Sequence, residues 1–305
     1  MSKKGPFAHW EQAIQPRQDT LSPASTEDPG HLPPLFQFSQ NSLQDYADCA
    51  RRFQLRYVDG QRWPAAESEP IEEQERLMEQ GTEFHLLVQR HILGLPIETL
   101  TPQEQPLSDW WDAYLTYAPK DLPTSIRLPE AQLTTPVGKA HRLMARYDLL
   151  AIDPGERMVI VDWKTTRSRP SHEILARRLQ TRVYPFVLAE AGAHLFGGPV
   201  PPEAITFIYW FVEAPTQPEI FQYNSSLYAK DRTYLTGLID EILGQNELVW
   251  PLTDDDFHCK YCVYRSLCER GVRAGRLDEA DIEATSLDVD FDFTFEFDEI
   301  DEIAF

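Results

Sequence analysis

The chain has 305 residues, 42% of them hydrophobic, and a formal charge of −21. That length and apolar content suit one elaborated domain or two small ones with a sizeable core. No run of eighteen apolar residues occurs, which excludes a hydrophobic membrane span, and the acidity argues against indiscriminate nucleic-acid binding. The opening MSKKGPFAHWEQ lacks the apolar stretch of a secretory signal, so the expectation is a cytoplasmic protein whose four cysteines stay reduced.

Residues 1–37 are rich in Pro, Gln and Ser and predict a disordered arm. In SQNSLQDYADCARRFQLRYVDG, Ser42 with Asp45 three residues later predicts a helix start, and Leu43, Tyr46, Ala47, Ala50, Phe53 and Tyr57 recur at helical spacing. A second helix is predicted over 71–93, followed by a Pro-containing stretch and the aromatic segment WWDAYLTY. Three strands are expected at 128–135, 140–152 and 157–165, the last two joined by the turn signal DPGE. A helix over 172–192, the strands ITFIYWFV and EIFQYN, and a helix over 227–247 complete a mixed α/β domain on one central sheet.

Charge is unevenly spread. Leu277–Phe305 holds twelve acids and no Lys or Arg, which leaves −9 of the −21 for the rest. Between Lys139 and Arg182 ten basic residues face five acidic ones, a local +5 of the kind a polyanionic substrate requires; a solvated helix face at Arg177, Arg178 and Arg182 would read the same way. Within this window lies MVIVDWKTTR. Asp162 and Lys164 share a strand face at the end of an apolar run, where a charge is costly unless it is paired or binds a metal. Asp148, in LMARYDLLAI, sits on the preceding strand and can converge with Asp162 through the DPGE hairpin. Converging carboxylates repel unless a divalent cation holds them, and oxygen donors suit Mg²⁺ or Mn²⁺; two unrelated strand-end acids are the alternative. Lys164 beside such a cation could orient water or stabilise charge on a phosphate.

His85 lies four residues after Gly81 on the second helix, and a histidine there is open to either packing or ligation. Gln180 and Tyr184 share a helical face with Arg177 one turn earlier, a set able to hold a phosphodiester or stack on a base. Cys259, Cys262 and Cys268 form a C-x2-C-x5-C run, and Cys49 lies 210 residues before it. Four thiols suit a [4Fe-4S] cluster or a structural zinc, and a clip closing so long a loop stabilises by roughly 5 kcal/mol.

These pieces resemble, in order, the RecB-type branch of the PD-(D/E)xK nuclease superfamily in its iron-sulfur form, similar to AddB-type and CRISPR adaptation nucleases. The resemblance runs from Cys49 in CARRFQLRY through Gly81–His85, Asp148, DWKT, QTRVY and the three late cysteines. It implies a restriction-endonuclease-like α/β core over 38–272, a central mixed sheet flanked by helices, with a cysteine cap joining the N- and C-terminal parts. It further implies that His85, Asp148, Asp162 and the Trp163 carbonyl bind Mg²⁺ or Mn²⁺ and that Lys164 positions the attacking water. Gln180, Tyr184 and Arg177 would contact DNA, and Cys49, Cys259, Cys262 and Cys268 would hold [4Fe-4S] in preference to zinc. The expected activity is a metal-dependent DNA nuclease, an exonuclease on single-stranded or frayed ends, in repair, recombination or defence. A silent DNA-binding or scaffold subunit that kept the fold is the alternative. No G-x-x-x-x-G-K-[ST] helicase motif is present in the sequence, so a single-stranded substrate or an unwinding partner is expected. The 273–305 tail, alternating strictly from Val289 to Phe297 and ending in DEIAF, reads as an acidic peptide or an added strand, and is a candidate contact for a protein partner.

Overall fold

The computed structural model describes residues 32–273 except 34, 62–68, 167–168 and 261. Residues 1–31 of the expected arm and 274–305 of the expected tail lie outside the described residues.

The chain enters through β1 (Gln37–Phe38) and turns into α1 (Gln40–Asp48). The helix begins three residues earlier than Ser42 predicts: Ser39 is the cap, its hydroxyl accepts the Ser42 N–H, and Ser42 returns the bond to the Ser39 N–H. The expected single helix also breaks at Cys49, whose extended backbone separates α1 from α2 (Ala50–Phe53) and the π turn Gln54–Val58. Next come α3 (Glu69–Ile92) and α4 (Leu107–Tyr117), then a meander of β2 (Ile126–Val137), β3 (His141–Asp153) and β4 (Arg157–Lys164). The DPGE turn works as its residues require, with Gly155 at φ +79° and the Asp153 carboxylate taking hydrogen bonds from Thr124 and Ser125.

The helix expected over 172–192 is two helices, α5 (His172–Arg177) and α6 (Leu179–Ala191), because Arg178 is extended; the Thr181 hydroxyl bonds the Leu175 carbonyl at 2.6 Å across the break. The remainder is α7 (Ala193–Phe196), β5 (Ile205–Phe211), β6 (Glu219–Gln222), α8 (Ser225–Leu243) and the short α9 (Asp256–Lys260).

One six-stranded mixed sheet organises these elements. β3 pairs antiparallel with β2 along almost its whole length, so β1 and β4 must share its other edge. β1 takes Arg142 and Leu143, and β4 takes Leu149 to Asp153. Among the described residues, the stretch of β3 between them, which contains Asp148, has no strand partner on that edge. Beyond β4 lie parallel β5 and antiparallel β6. The parallel step needs a crossover, supplied by α5 to α7.

Both sheet faces are covered, which explains the near-continuous apolar runs of β4 and β5. On one face Tyr147, Ile160, Phe207 and Tyr209 pack with α1, α2, α6 and α8. On the other, Val161, Trp163 and Trp210 pack with Phe84 and Val88 of α3 and with Trp110, Trp111 and Tyr114 of α4. After α8 the chain returns to the N-terminal helices, where Trp250 stacks on Phe53 at 5.5 Å. Among the described residues no helix is long and apolar enough to cross a membrane.

Candidate active site

The end of β4 places Asp162 and Lys164 on the α6 side of the sheet, continuing the face of Met158 and Ile160. Both are nearly buried, at 3% and 7% exposure. Lys164 Nζ lies 3.1 Å from Asp162 Oδ2 and 5.7 Å from the Tyr209 ring centroid, while Gln180 Nε2 of α6 donates to Asp162 Oδ1 at 2.6 Å. A buried carboxylate is thus balanced by one ammonium and one amide donor.

Asp148 stands opposite Asp162 in the β3–β4 register, one step beyond the last pair, Leu149 and Val161. There the strands part, and the Trp163 N–H, released from the ladder, donates to Asp148 Oδ2 at 2.8 Å. From the opposite side α3 brings His85 Nδ1 to 3.4 Å from the same oxygen. Gly81, one turn before His85, makes that approach possible: a Cβ there would lie 2.9 Å from Thr165 Oγ1, just past Lys164.

Glu130 also belongs to the site, and sequence reasoning missed it. One donor atom each from His85, Glu130 and Asp148 lie within 4.8 Å of one another. Glu130 faces Asp148 across β2 and β3, between the pairs Pro129–Leu149 and Ala131–Tyr147, and its φ is +53°. At this point the alternation of both strands slips by one residue. Leu128 and then Ala131, like Tyr147 and then Leu150, face the same core. The one available signal was Pro129, since proline inside a strand pattern marks an edge or a bulge.

Charge couples the cluster. Burial disfavours the His85 imidazolium, but Asp148, with Asp162 and Glu130 behind it, outweighs burial and raises the pKa to about 9. Burial likewise works against the Asp148 carboxylate, and His85, the Trp163 N–H and Lys164 together bring its pKa below the ordinary value. Burial and Asp148 raise Glu130, against the pull of Arg146 and His85. One imidazole with two carboxylates, those of Glu130 and Asp148, is a donor set that Mg²⁺ or Mn²⁺ accepts, and the short separations fit a single ion; Asp162 stands outside this group of three, on Lys164 and Gln180.

The other expected contacts are distributed differently. Gln180 points at Asp162. Tyr184, one turn on, is 5% exposed, packs on Tyr147 and Phe207, and accepts the Tyr147 hydroxyl at its carbonyl. Arg177 is exposed at the end of α5, on a separate helix from Gln180. The basic window is partly neutralised by acids from elsewhere in the chain: Arg146 meets Glu130, Arg157 meets Asp121, Arg169 meets Glu219 and Arg182 meets Asp231.

Away from this site, Cys49, Cys259, Cys262 and Cys268 line one small pocket together with Arg52, Arg265 and Arg270. Arg270 Nη1 lies 3.6 Å from Cys259 Sγ. Burial pushes the Cys262 thiol up to about 11 and raises Cys259 and Cys268, so a metal must displace their protons on binding. Four cysteines lining one pocket, with guanidinium groups around it, are a residue set that would suit a metal centre of net negative charge.

Fold and site together define an α/β protein of restriction-endonuclease type, with paired carboxylates and a lysine where two strands part. The chain belongs to the PD-(D/E)XK nuclease superfamily, whose family model matches residues 37–269. Membership implies phosphodiester hydrolysis, generally with divalent metal. No curated protein matches the chain. Similar solved structures include that of SSO0001, with 15% identity, 78% of this chain and 88% of that one covered, and a TM-score of 0.39. A "Putative exonuclease" from Eubacterium rectale has 11% identity, coverage of 68% and 80%, and a TM-score of 0.41.

Proposed function

We propose that the protein is a Mg²⁺- or Mn²⁺-dependent DNA nuclease, acting as an exonuclease on single-stranded or frayed ends in repair, recombination or defence. The observation that carries this reading is the placement of two charge pairs where β3 and β4 part, His85 with Asp148 at 3.4 Å and Lys164 with Asp162 at 3.1 Å, joined by the Trp163 N–H on Asp148. His85, Asp148, Asp162 and the Trp163 carbonyl would hold the cation, which when bound supplies Lewis acidity toward a phosphate oxygen and lowers the pKa of water. The Trp163 N–H and Gln180 orient the two carboxylates. Lys164, held by Asp162, presents an ammonium that can steady the attacking water and the charge growing on the phosphate. Exposed Arg177 is available to the DNA backbone, whereas buried Tyr184 supports α6 beneath Gln180.

The cysteines are assigned to a [4Fe-4S] cluster, with zinc as the lesser alternative, acting as a clip between the N-terminal helices and the C-terminal arm. Supporting this are the four thiols on one pocket and the arginines around it. The test is an anaerobic assay with Mn²⁺ on end-labelled single and double strands, comparing the native chain with Asp162→Ala and Lys164→Ala. Loss of degradation in both variants is expected; equal degradation by all three would overturn the catalytic assignment. Anaerobically purified protein should be brown, and a colourless, zinc-containing preparation would reject the cluster.

A further inference from the structure

We infer that Glu130 is a further ligand of the divalent cation, with Arg146 as the residue that positions it. The inference rests on the reading of the centre as a metal-dependent nuclease site.

Three observations carry it. First, Glu130 reaches His85 and Asp148, while Asp162 is already engaged by Gln180 and Lys164. The side of the centre that faces α3 therefore has its own carboxylate. Second, both Arg146 nitrogens, Nε and Nη2, fall on Glu130 Oε2 at 2.9 Å, and among the described residues no donor bonds Oε1. The arginine fixes the side chain and leaves one oxygen for a cation. Third, Glu130 has a left-handed backbone inside a strand, a conformation that side chains larger than glycine seldom adopt. Strain of this kind collects at functional sites.

An ion pair with Arg146 does not account for these features. Arg146 is about half exposed, and pairs so open to water contribute little. Nor does packing account for them, since the slip of both strands turns a carboxylate toward another carboxylate. A cation between Glu130 and Asp148 removes that repulsion.

The test is Mn²⁺ titration of the full chain, purified anaerobically, with free Mn²⁺ read from its paramagnetic resonance signal. Melting in EDTA checks that each variant folds. Glu130→Gln keeps the shape and the bond to Arg146, and a Kd weakened about tenfold or more is expected. Glu130→Asp keeps the charge, tolerates the left-handed backbone and falls one methylene short; it should also bind more weakly. Native affinity in Glu130→Asp would mean that charge alone acts, and would overturn ligation. Native affinity in Glu130→Gln, with binding lost in Asp148→Asn, would overturn the Glu130 assignment and leave the nuclease centre standing. Failure of the native chain to bind Mn²⁺ would overturn both.

Discussion

Gln54→Leu tests how the two ends of the chain are joined. Gln54 is 1% exposed; its Oε1 accepts the Trp250 N–H at 2.8 Å and its Nε2 donates to the Leu248 carbonyl at 2.8 Å, across almost two hundred residues. Leucine fills similar space but orphans both backbone groups. The Trp250 N–H is buried against Phe53 and costs about 1–3 kcal/mol unsatisfied, while the Leu248 carbonyl lies nearer the surface and loses about 1 kcal/mol. A loss of about 2–4 kcal/mol is a large part of the 5–15 kcal/mol typical of folded domains. Urea unfolding should show a lower midpoint with unchanged slope. Cys259, Cys262 and Cys268 follow this joint in the chain, so metal retained per chain should fall as well. A loss under 1 kcal/mol with full metal content would refute the argument that the joint, and not the cysteines alone, sets the C-terminal arm.

Lys164→Met should lower kcat about 10²–10³-fold. In EDTA it should also destabilise the fold by about 3 kcal/mol, because Asp162 loses its buried countercharge, and Mn²⁺ should restore part of that loss on melting. Gly81→Ala gains helix propensity of about 1 kcal/mol yet meets the Thr165 hydroxyl, so stability should change by no more than about 1 kcal/mol while Mn²⁺ affinity falls. The Gly81→Ala/Thr165→Ala double variant should regain that affinity, and failure to regain it would refute the contact. Burial lifts the Asp231 carboxyl to about 6, against the opposing pull of Arg182 and Tyr223. Because the folded value lies above the unfolded one, stability falls as pH rises from about 4 to 6, by about 3 kcal/mol in all. Asp231→Asn should therefore unfold at higher urea than the native chain at pH 7.5, with the gap closing at pH 4.

What the sequence determined by itself was whatever depends on local order. Alternation placed Asp162 and Lys164 on one face, the turn signal DPGE set the β3–β4 register, and helical spacing set Gly81 against His85. Each follows from a period of 2 or 3.6 residues and needs no knowledge of distant partners. Spacing also singled out the cysteines, though their convergence on one pocket depends on Trp250 and Gln54 closing a loop between the chain ends. Only the tertiary structure decided the rest. The helix breaks at Cys49 and Arg178 run against continuous local periodicity. The basic window lost much of its charge to Asp121, Glu130, Glu219 and Asp231, because ion pairs form through space and not along the chain. Glu130 entered the centre by a slip shared between two strands, and such a slip exists only once β2 and β3 are paired.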